Sequence, residues 1–595
     1  MPIDPPLTDS RRLTGSNVYF DATGAALETA AIAVDSSLID DWRARIAIAR
    51  SALGWMDGPI VARMHASGAS LAFAAPLDQL YAATEVNEWA WLSSLAASAR
   101  APDYEYFHAP GHAAVWDRDI ALPTLHALAA AEARPPLVAL IEQAQVHELT
   151  WLLDEDALTL GEGNGSRTWL LDALPTPADL QWSGLHNIPV ALVTGSNGKT
   201  TTVRLLAAMA RAHGWRTGHS CSDGLFVDGV SLDAGDFSGP MGARRVLREP
   251  DVEAAILETA RGGILRRGLA VQHAQVAVIT NITADHYGEY GIHDLDALAQ
   301  VKLVVARAVE PSGVLVLNAN DPPSRAHVSG FDHARFGCTL AWFALDDDDE
   351  FLRAHRKHGG ATAGVRDGRV RLFLNGETHD LGEIIDMPLT ANGCAAYNIS
   401  NLLGASLAAA ALGIAAAQIA GVLARFGSTH EDNPGRLQHW SLGGVEVWLD
   451  YAHNPDGLRG LLEVTRQGQQ HGRLGSMLGQ AGNRTDADIR ALATITAGFA
   501  PTRIVIKETE DLLRGRPPGE TVAILREELL AQGIDPYAIT VSNDETDATR
   551  ELLEWAQPGD LLVLPIHGKY ARNEISDWLD RMLQSDWQPG QPLAD

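Results

Sequence analysis

A glycine-bearing loop that joins a strand-like segment to a helix-like segment constrains the fold of this chain more than any other feature. The run of apolar and β-branched residues Val190–Thr194 leads into the loop, and Lys199 opens a helical pattern that ends near His213. The four loop residues are Gly195, Ser196, Asn197 and Gly198. This order predicts a strand, a phosphate-binding loop and a helix.

The residue types of this loop suit a nucleoside triphosphate. Glycines allow backbone N–H groups to surround phosphate oxygens, and the helix N-terminus adds a positive dipole. Lys199 can reach the β- and γ-phosphates, a hydroxyl from Thr200 can ligate Mg²⁺, and Thr201 continues the motif. Val193 stands where the strict phosphate-loop pattern has a glycine, so this is the shorter G-x-x-G-K-T-T form. The alternative is a chance glycine-rich turn between a strand and a helix.

Length and charge limit the class of protein. A chain of 595 residues is too long for one hydrophobic core, and its length predicts about three or four domains. The 46 Lys and Arg residues against 75 Asp and Glu residues give a net charge of −29. Such acidity argues against nonspecific binding to nucleic acid or to an anionic membrane. The three cysteines are widely spaced and the N-terminus lacks a signal-peptide core, so a cytoplasmic location is expected.

Two loop-like segments divide the chain into three predicted domains. Pro175–Pro189 is rich in proline and resembles a linker, and a second boundary falls near Gly427–Pro434. The predicted domains are residues 1–185, 186–430 and 431–595. The first mixes helical patterns with one strand-like run, which predicts an α+β region. Its helical patterns are Leu38–Leu53, Val86–Ala99 and Leu137–Val146, and its strand-like run is Ile60–Phe73.

Polar side chains follow three predicted strands of the middle domain at the point where each strand ends. The runs Ala254–Leu257, Val276–Thr280 and Val314–Leu317 lead into ETARGG, NITADH and NANDP respectively. Because the carboxyl ends of parallel strands meet at one edge of an open α/β sheet, where ligands bind, we expect these groups to converge. Each cluster on its own is also compatible with ordinary turn chemistry.

A second, smaller α/β domain is predicted towards the C-terminus. Val445–Leu449 runs into the sequence DYAHNP, and two further strand-like runs follow at Arg503–Ile506 and Leu561–Pro565. Segments with helical patterns separate these runs, which favours parallel strands with crossover helices.

Five motifs together resemble the Mur ligase superfamily: TGSNGKTTT, LETARGGILRRGL, NITADH, NPGRL and DYAHNP. Within this superfamily, the chain is similar to the C-terminal half of the cyanophycin synthetases. Three stretches carry this similarity: ETARGGILRRGL, GNRTDADIR and LRGRPPGE. The resemblance covers residues 188–560. Cyanophycin synthetases carry an ATP-grasp domain before this half, and the present sequence has no room for one. The resemblance therefore implies a single ATP site, and it leaves polymer synthesis from free aspartate in doubt.

The resemblance also implies a fold and a reaction. The fold is α/β, with a central phosphate-loop domain built on a parallel sheet, a C-terminal Rossmann-like α/β domain and a mixed α+β N-terminal region. The reaction uses ATP and Mg²⁺ to activate a carboxylate as an acyl phosphate, which an amine attacks to give an amide, ADP and phosphate. Such phosphoryl transfer depends mainly on charge neutralisation and positioning.

Site residues are implied by matching these motifs position by position. Lys199 and the loop amides would hold the phosphates, and Thr200 with Glu258 would ligate the first Mg²⁺. His286 matches the ligand of a second metal. Lys302 matches a carbamylated lysine, with an ordinary surface lysine as the alternative. Asn281 would face the nucleotide base. Arg436 and Asp450 would close over the nucleotide from the C-terminal domain.

Substrate residues are implied less directly. In the cyanophycin enzymes this half attaches arginine to an aspartate side chain, and Glu508, with its acidic neighbours Glu510 and Asp511, could pair with a guanidinium. A solvated acidic loop is the alternative. His453 could contact ligand or serve strand-end packing. The candidates for binding the acceptor carboxylate are Arg261, Arg266 and Arg267. Those for holding the acidic acceptor or phosphate are Arg484, Arg514 and Arg516.

Three functional hypotheses follow. The first is an ATP-dependent ligase that joins an arginine-like amino acid to an aspartate-containing, peptide-like acceptor. The second keeps this chemistry on a peptidoglycan-like or folate-like acceptor. The third is a noncatalytic nucleotide-binding regulator, which would be expected to have lost the loop, Glu258 or His286. The expected partners are small molecules rather than nucleic acid or membrane, and a homo-oligomer is left open.

Overall fold

The structure is a computed structural model that describes residues 7–30, 34–98, 118–284, 287–328, 336–467 and 472–593. Within these residues the chain forms four β-sheets with helices packed against them. None of the described helices is long and apolar enough to cross a lipid bilayer.

The N-terminal region contains a four-stranded antiparallel sheet of order β1-β2-β4-β3 among the described residues. Its strands are β1 (Leu7–Leu13), β2 (Gly24–Thr29), β3 (Ile60–His65) and β4 (Gly68–Ala74). Helices of this region are α1 (Ser36–Leu53), α2 (Leu80–Ala97) and α3 (Arg118–Glu132). Trp42, Phe73 and Trp91 are fully buried in the core of this sheet and its helices. The mixed α+β prediction is confirmed.

A second small unit completes the N-terminal region. Helix α4 (Pro135–Val146) is followed by an antiparallel sheet of β5 (Trp151–Leu153), β6 (Ala157–Leu160) and β7 (Arg167–Leu170). Leu140 and Leu158 are fully buried where α4 packs on this sheet. The polypeptide then passes along short 3₁₀ turns to the first strand of the large sheet.

The middle of the chain forms an eleven-stranded sheet, as far as it is described, of order β11-β10-β9-β12-β8-β13-β14-β15-β16-β17-β18. The seven strands from β9 to β16 in this order are parallel, and antiparallel hairpins extend both edges. The strands are β8 (Val190–Thr194), β9 (Thr217–Cys221), β10 (Gly224–Val227), β11 (Val230–Asp233), β12 (Ala254–Glu258), β13 (Ala274–Ile279), β14 (Val309–Asn318), β15 (Thr339–Asp346), β16 (Ala361–Arg366), β17 (Arg369–Leu374) and β18 (Glu377–Glu383).

Helices cover both faces of this large sheet. The helices are α5 (Lys199–His213), α6 (Pro240–Leu247), α7 (Arg261–Arg267), α8 (Leu295–Lys302), α9 (Pro322–His327), α10 (Glu350–Lys357), α11 (Ala396–Ala411) and α12 (Ala416–Leu423). One core lies under α5, α11 and α12, and the other lies under α6, α7 and α8. Strands buried on both faces are expected in a parallel sheet of this kind and explain their continuous apolar runs.

The C-terminal domain is a six-stranded sheet, within the described residues, of order β19-β20-β24-β21-β22-β23, in which only β19 is antiparallel to its neighbour. Its strands are β19 (Gln438–Leu442), β20 (Val445–Asp450), β21 (Leu474–Leu478), β22 (Arg503–Lys507), β23 (Ile539–Ser542) and β24 (Leu561–Pro565). Its helices are α13 (Pro455–Gln467), α14 (Asp486–Gly498), α15 (Glu520–Ala531), α16 (Glu545–Trp555) and α17 (Lys569–Gln584).

The α/β fold class predicted from sequence is confirmed by these sheets. Each predicted strand of the middle and C-terminal domains is present, with bounds that differ by a few residues. The described sheets also lie to either side of the boundaries near 185 and 430, although the three domain ranges stay predictions.

Candidate active site

The phosphate loop has a backbone that only glycine can supply at two points. Gly195 has φ +151° and Gly198 has φ +82°. A Cβ at Gly195 would lie 1.8 Å from Oγ1 of Thr280, and a Cβ at Gly198 would lie 2.1 Å from Oδ1 of Asn401. These glycines therefore permit both the left-handed turn and the close approach of neighbouring elements.

The segment that follows β13 fixes the shape of this loop. Asn281 Oδ1 accepts a hydrogen bond from Asn197 N at 2.9 Å, and Asn281 Nδ2 donates to Asn197 O at 3.1 Å. Ser196 Oγ donates to Thr283 O at 2.9 Å and accepts from Thr283 N at 3.0 Å. The Asn281 side chain is thus engaged with the loop backbone, and its contact with a nucleotide base stays a prediction.

Helix α5 presents the lysine and hydroxyl of the motif to the carboxyl end of β12. Lys199 Nζ donates to Ser196 O at 3.0 Å. Thr200 Oγ1 donates to Glu258 Oε2 at 2.9 Å, and its oxygen lies 2.9 Å from Oγ of Ser222, the residue after β9. Burial of Glu258 raises the pKa of its carboxyl, and the charge of Lys199 opposes this rise.

These oxygens fit a magnesium ion. Mg²⁺ is usually held by one or two carboxylates together with water and substrate phosphates. Glu258 is a buried carboxylate that accepts hydrogen bonds from the Thr200 hydroxyl and from Ser222 N, and a divalent cation would offset the cost of its burial. No described group of three or more His, Cys, Asp or Glu residues has a metal-binding arrangement. The predicted metal ligand His286 lies outside the described residues, so its role stays a prediction.

The C-terminal domain meets the phosphate loop directly. Asn454 Nδ2 donates to Asn197 Oδ1 at 2.7 Å, and Asn433 Nδ2 donates to Thr201 Oγ1 at 3.2 Å. A cavity of about 400 Å³ lies between the two domains. Its wall includes the loop residues from Ser196 to Thr201 together with Glu258, Asn281, Arg436, Asp450 and His453. The structure therefore brings the predicted nucleotide-binding residues of both domains to one cavity.

Asp450 and Arg436 lie on the C-terminal wall of this nucleotide cavity. Asp450 Oδ2 accepts a hydrogen bond from Leu437 N at 2.6 Å, which ties the end of β20 to the interdomain segment. Burial raises the pKa of the Asp450 carboxyl, although the charge of Arg436 opposes it. The Arg436 guanidinium lies 4.5 Å from the centre of the Tyr451 ring, which is within cation–π distance.

A charged cluster around Asp223 joins the two domains beside the nucleotide cavity. Arg436 and Arg572 lie 3.6 Å and 3.4 Å from Asp223 Oδ1, and Lys569 donates to the Asp223 backbone oxygen. Burial alone would raise the pKa of this carboxyl, but the neighbouring guanidinium groups hold it below its ordinary value. Tyr451 is within cation–π distance of both arginines, since the Arg572 guanidinium is 4.7 Å from its ring centre.

A second cavity of about 590 Å³ opens next to Lys199. Lys199 and His453 line both this cavity and the nucleotide cavity. The other predicted site residues on its wall are Gly195, Arg261, Arg266, Arg267, Lys302 and Arg514. We call it the acceptor cavity, because its cationic wall suits a carboxylate that must approach the γ-phosphate.

The arginines of α7 are held by specific neighbours at the rim of the acceptor cavity. Arg261 pairs with Glu289 at 2.5 Å, and Arg266 Nε donates to the Tyr290 hydroxyl at 3.0 Å. Arg267 O accepts from Thr14 N at 2.7 Å, so the N-terminal region fixes the end of α7. This arrangement gives the predicted acceptor-binding arginines defined positions.

Lys302 is the last residue of α8 and is buried, with 3% of its surface exposed. It lines the acceptor cavity together with Lys199. The alternative of an ordinary surface lysine is therefore wrong, whereas carbamylation of this amine stays a prediction.

Three predicted substrate residues of the C-terminal domain line neither cavity. Glu508 Oε2 accepts from Gly519 N at 2.7 Å, at the start of α15. Arg516 donates to the carbonyl oxygens of Gly482 and Arg484, both at 2.9 Å, and so holds the segment after β21. These contacts give the side chains of Glu508 and Arg516 structural roles, while Arg484 contributes its backbone carbonyl oxygen. Binding of substrate by any of the three stays a prediction.

Sequence reasoning missed several residues of the site. The hydroxyl of Tyr397 is buried without a hydrogen-bond partner among the described residues, and it lines the nucleotide cavity. Ser222 and Asp223 follow directly after β9, so the rule that identified Glu258 and Asn281 would also have identified them. Arg572, Asn454 and Asn433 act across the domain boundary, and no local pattern marks their partners.

Comparison with known protein families agrees with this geometry. Residues 193–409 match the family model described as Mur ligase middle domain. Residues 435–565 match the model described as Mur ligase, glutamate ligase domain. The first match contains the phosphate loop, Glu258 and the arginines of α7, and the second contains Arg436, Asp450, Asn454 and Arg514.

Individual relatives extend the comparison. A cyanophycin synthetase from Synechocystis sp. is 36% identical over 377 residues, which cover 63% of this chain and 42% of the relative. A UDP-N-acetylmuramoyl-L-alanyl-D-glutamate–2,6-diaminopimelate ligase from Xanthomonas campestris is 29% identical over 64% of this chain and 73% of its own length. The solved structure of FolC from E. coli with ADP aligns with a TM-score of 0.48 and 18% identity, over 66% of this chain and 89% of FolC. The chain thus spans about two-fifths of the length of the curated cyanophycin synthetase.

Proposed function

Because the chain carries the middle and glutamate ligase domains of the Mur ligase family, we propose that it is an ATP-dependent ligase that joins a carboxylate to an amine. The observation that carries this proposal is the position of Lys199 on the shared wall of the nucleotide and acceptor cavities. A phosphoryl group held by Lys199 would face both its donor and a carboxylate in the adjacent cavity.

The chemistry supplied by bound ATP and Mg²⁺ is transfer of the γ-phosphoryl group to the carboxylate, giving an acyl phosphate and ADP. Loop amides and Lys199 would neutralise the phosphate oxygens, while Thr200 and Glu258 would hold the metal. An amine then displaces phosphate from the acyl carbon, and the ammonium substrate loses its protons overall to form the amide. The net reaction consumes carboxylate, ammonium and ATP, and yields amide, ADP, phosphate and one proton.

The arginines at the rim of the acceptor cavity would orient the carboxylate. Arg261 and Arg266 are fixed by Glu289 and Tyr290, so they can offer donors without a large loss of side-chain entropy on binding. Closure of the C-terminal domain through Asn454 keeps water away from the acyl phosphate, which would otherwise hydrolyse. A carbamylated Lys302 would add anionic oxygens to the same cavity, and His286 is the residue we propose as the ligand of a second metal.

The substrates we propose are an arginine-like amine and an aspartate-containing, peptide-like acceptor. Support comes from the 36% identity with a cyanophycin synthetase and from the three motif stretches of that branch, around Glu258, Arg484 and Arg516. The activity we propose for the site between the two domains is one ligation step, in which the amine is added to a carboxylate that already exists.

A second candidate keeps the mechanism and changes the acceptor to a peptidoglycan-like molecule. The observation in its favour is the match over 73% of the length of a diaminopimelate-adding ligase, although at 29% identity. The two candidates differ in the acceptor that supports turnover, so one assay can separate them.

The decisive experiment is a substrate screen. Purified protein would receive ATP, Mg²⁺ and an aspartate-containing peptide, together with each of the twenty amino acids in turn, while phosphate release is measured. We expect release to depend on both the peptide and an amino acid, with arginine giving the fastest rate. Amino-acid-dependent release only with a UDP-muramoyl peptide would favour the second candidate. Absence of any amino-acid dependence with either acceptor would overturn the ligase proposal in favour of a nucleotide-binding regulator.

A further inference from the structure

Arg244 lies where the acceptor cavity meets a further cavity of the chain. This residue is on α6, and it lines both the acceptor cavity and a cavity of about 450 Å³ at the junction of the N-terminal region and the middle domain. Arg267 lines the same two cavities. The junction cavity also includes Arg12, Tyr81 and Glu155 from the N-terminal region. A ligand seated by the γ-phosphate can therefore continue past Arg244 towards the N-terminal region.

The guanidinium of Arg244 makes no hydrogen bond or ion pair with any residue that the structure describes. Its neighbours on the chain behave differently: Arg245 pairs with Asp233 at 2.6 Å, and Arg248 pairs with Asp154. Burial lowers the pKa of Arg244, the charges of Arg248 and Arg267 lower it further, and Asp154 only partly opposes these effects. Arg244 is thus a half-buried cation that its surroundings leave without a matching anion.

The carboxylates of the junction cavity are already engaged with protein donors. Each accepts from a separate group: Asp78 from Arg134 N at 2.7 Å, Glu132 from Tyr81 N at 2.9 Å, Glu155 from Arg12 at 3.1 Å, and Asp154 from Arg248. Each of these acids is therefore already hydrogen-bonded to a protein donor, and none of them forms an ion pair with Arg244 in the described structure. A partly desolvated charge is costly unless a ligand supplies the opposite charge.

We propose that Arg244 binds a second carboxylate of the acceptor, one or more residues away from the carboxylate that is activated. This inference rests on the proposed ligase function, and it narrows the substrate class to peptide-like acceptors that carry at least two carboxylates. Arginine suits this role because its planar guanidinium can form two parallel hydrogen bonds with one carboxylate. The activated group lies by Lys199, and the rest of the acceptor extends over α6 into the junction cavity.

The test compares acceptors of equal length and different charge. The probes are N-acetyl-triaspartate amide and two analogues in which asparagine replaces two of the three aspartates, leaving one aspartate at either end. The variants are Arg244→Gln and Arg244→Lys, with Arg245→Gln as the control, since Arg245 is on the same helix but is exposed and lines neither cavity. Steady-state rates give KM and kcat for each peptide, and melting temperatures verify that the variants are folded.

We expect the wild-type protein and Arg245→Gln to have a KM for triaspartate that is lower, by roughly tenfold or more, than their KM for the one-carboxylate peptides. Arg244→Gln should lose this preference while its KM for ATP is unchanged, and Arg244→Lys should retain part of it. If wild type and Arg244→Gln both turn over the peptides and have the same preference for triaspartate over the one-carboxylate peptides, the inference is overturned but the ligase proposal stands. If no acceptor is turned over, the ligase proposal fails, and calorimetric binding of the same three peptides decides the role of Arg244.

Discussion

The side-chain amide of Asn454 donates a hydrogen bond to Oδ1 of Asn197 across 2.7 Å, and this bond joins the C-terminal domain to the phosphate loop. Asn197 is itself held by Asn281, so the contact links β13, the loop and the start of α13 in one network. The position of the C-terminal domain is therefore coupled to the shape of the loop that would hold the phosphates. Domain closure and nucleotide binding should depend on each other through this pair.

Asn454→Ser tests this coupling. Asn454 Oδ1 accepts from Gly457 N at 2.9 Å, and serine can replace this helix cap although it is too short to reach Asn197. Loss of one neutral hydrogen bond, worth about 0.5–1.5 kcal/mol, should raise the KM for ATP roughly two- to tenfold. Initial rates at varied ATP measure the effect, and the melting temperature should stay close to that of wild type. An unchanged KM for ATP would show that the contact does not contribute to nucleotide binding.

Lys199→Ala should abolish amino-acid-dependent ADP release and leave the fold intact. The ammonium group is the cation that the loop offers to the phosphates, and its backbone contact with Ser196 is replaceable by water. ADP release measures the activity, and circular dichroism measures the fold. Lys357→Ala is a matched control, because Lys357 is an exposed residue at the end of α10. Turnover that survives in Lys199→Ala would place the phosphate site elsewhere.

Glu258→Gln should weaken the metal site without weakening the fold. The amide keeps the size of the carboxylate and can still accept from Thr200, but it lacks the charge that Mg²⁺ requires. We expect the Mg²⁺ concentration for half-maximal rate to rise roughly tenfold or more. Because burial already raises the pKa of Glu258, the variant without Mg²⁺ should melt at the same temperature as wild type or higher. A Mg²⁺ dependence identical to that of wild type would exclude Glu258 as a ligand.

The sequence was most informative where the signal is local. The strand β8, the loop and α5 were predicted almost to the residue, because glycines, a lysine and hydroxyls follow an apolar run within a dozen positions. Glu258 was identified for the same reason, because it is the last residue of a buried strand. The run at Ile60–Phe73 was predicted as one strand-like segment but is a hairpin, since a two-residue turn before Gly68, at φ +139°, reverses the chain.

Contacts between distant residues could not be predicted in the same way. Asp223 and Arg572 are 349 positions apart, and their pairing depends on how the two domains pack rather than on any nearby pattern. Arg516 was predicted to bind substrate because of its motif, but its guanidinium donates to the backbone oxygens of Gly482 and Arg484. Residue type and spacing indicate which chemistry is possible, whereas the tertiary structure decides which of several arginines lines a cavity.

Gly198→Ala should disrupt the phosphate loop more than an equivalent change elsewhere on α5. The Cβ of an alanine at position 198 would collide with the Asn401 side chain, and the alanine backbone would have to adopt φ +82°. Gly214→Ala is the matched control, since Gly214 ends the same helix at φ +108° with no atom within 4 Å of the added Cβ. Both variants should lose about 1–2 kcal/mol of stability from backbone strain. Only Gly198→Ala should also lose nucleotide binding, which calorimetry with ADP and Mg²⁺ measures. Equal ADP affinity in the two variants would contradict the close-approach argument.

Glu162→Gln should remove a pH dependence of stability that originates outside the active site. Glu162 is fully buried, its Oε2 accepts from Ile188 N at 3.1 Å, and its Oε1 has no hydrogen-bond partner among the described residues. Burial raises the pKa of this carboxyl from 4.5 to about 8. Between these two values the folded protein keeps a proton that the unfolded chain has lost, so the free energy of unfolding falls as pH rises.

The wild-type protein should therefore lose up to about 1.4 kcal/mol of stability per pH unit across this window relative to Glu162→Gln. The two proteins should have similar stability near pH 4.5, and the variant should be the more stable above pH 8. Urea unfolding at several pH values measures the difference, and a glutamine can still accept the hydrogen bond from Ile188. Parallel stability curves for the two proteins would show that Glu162 is ionised in the fold at neutral pH, and would require a cation or water to be present beside it.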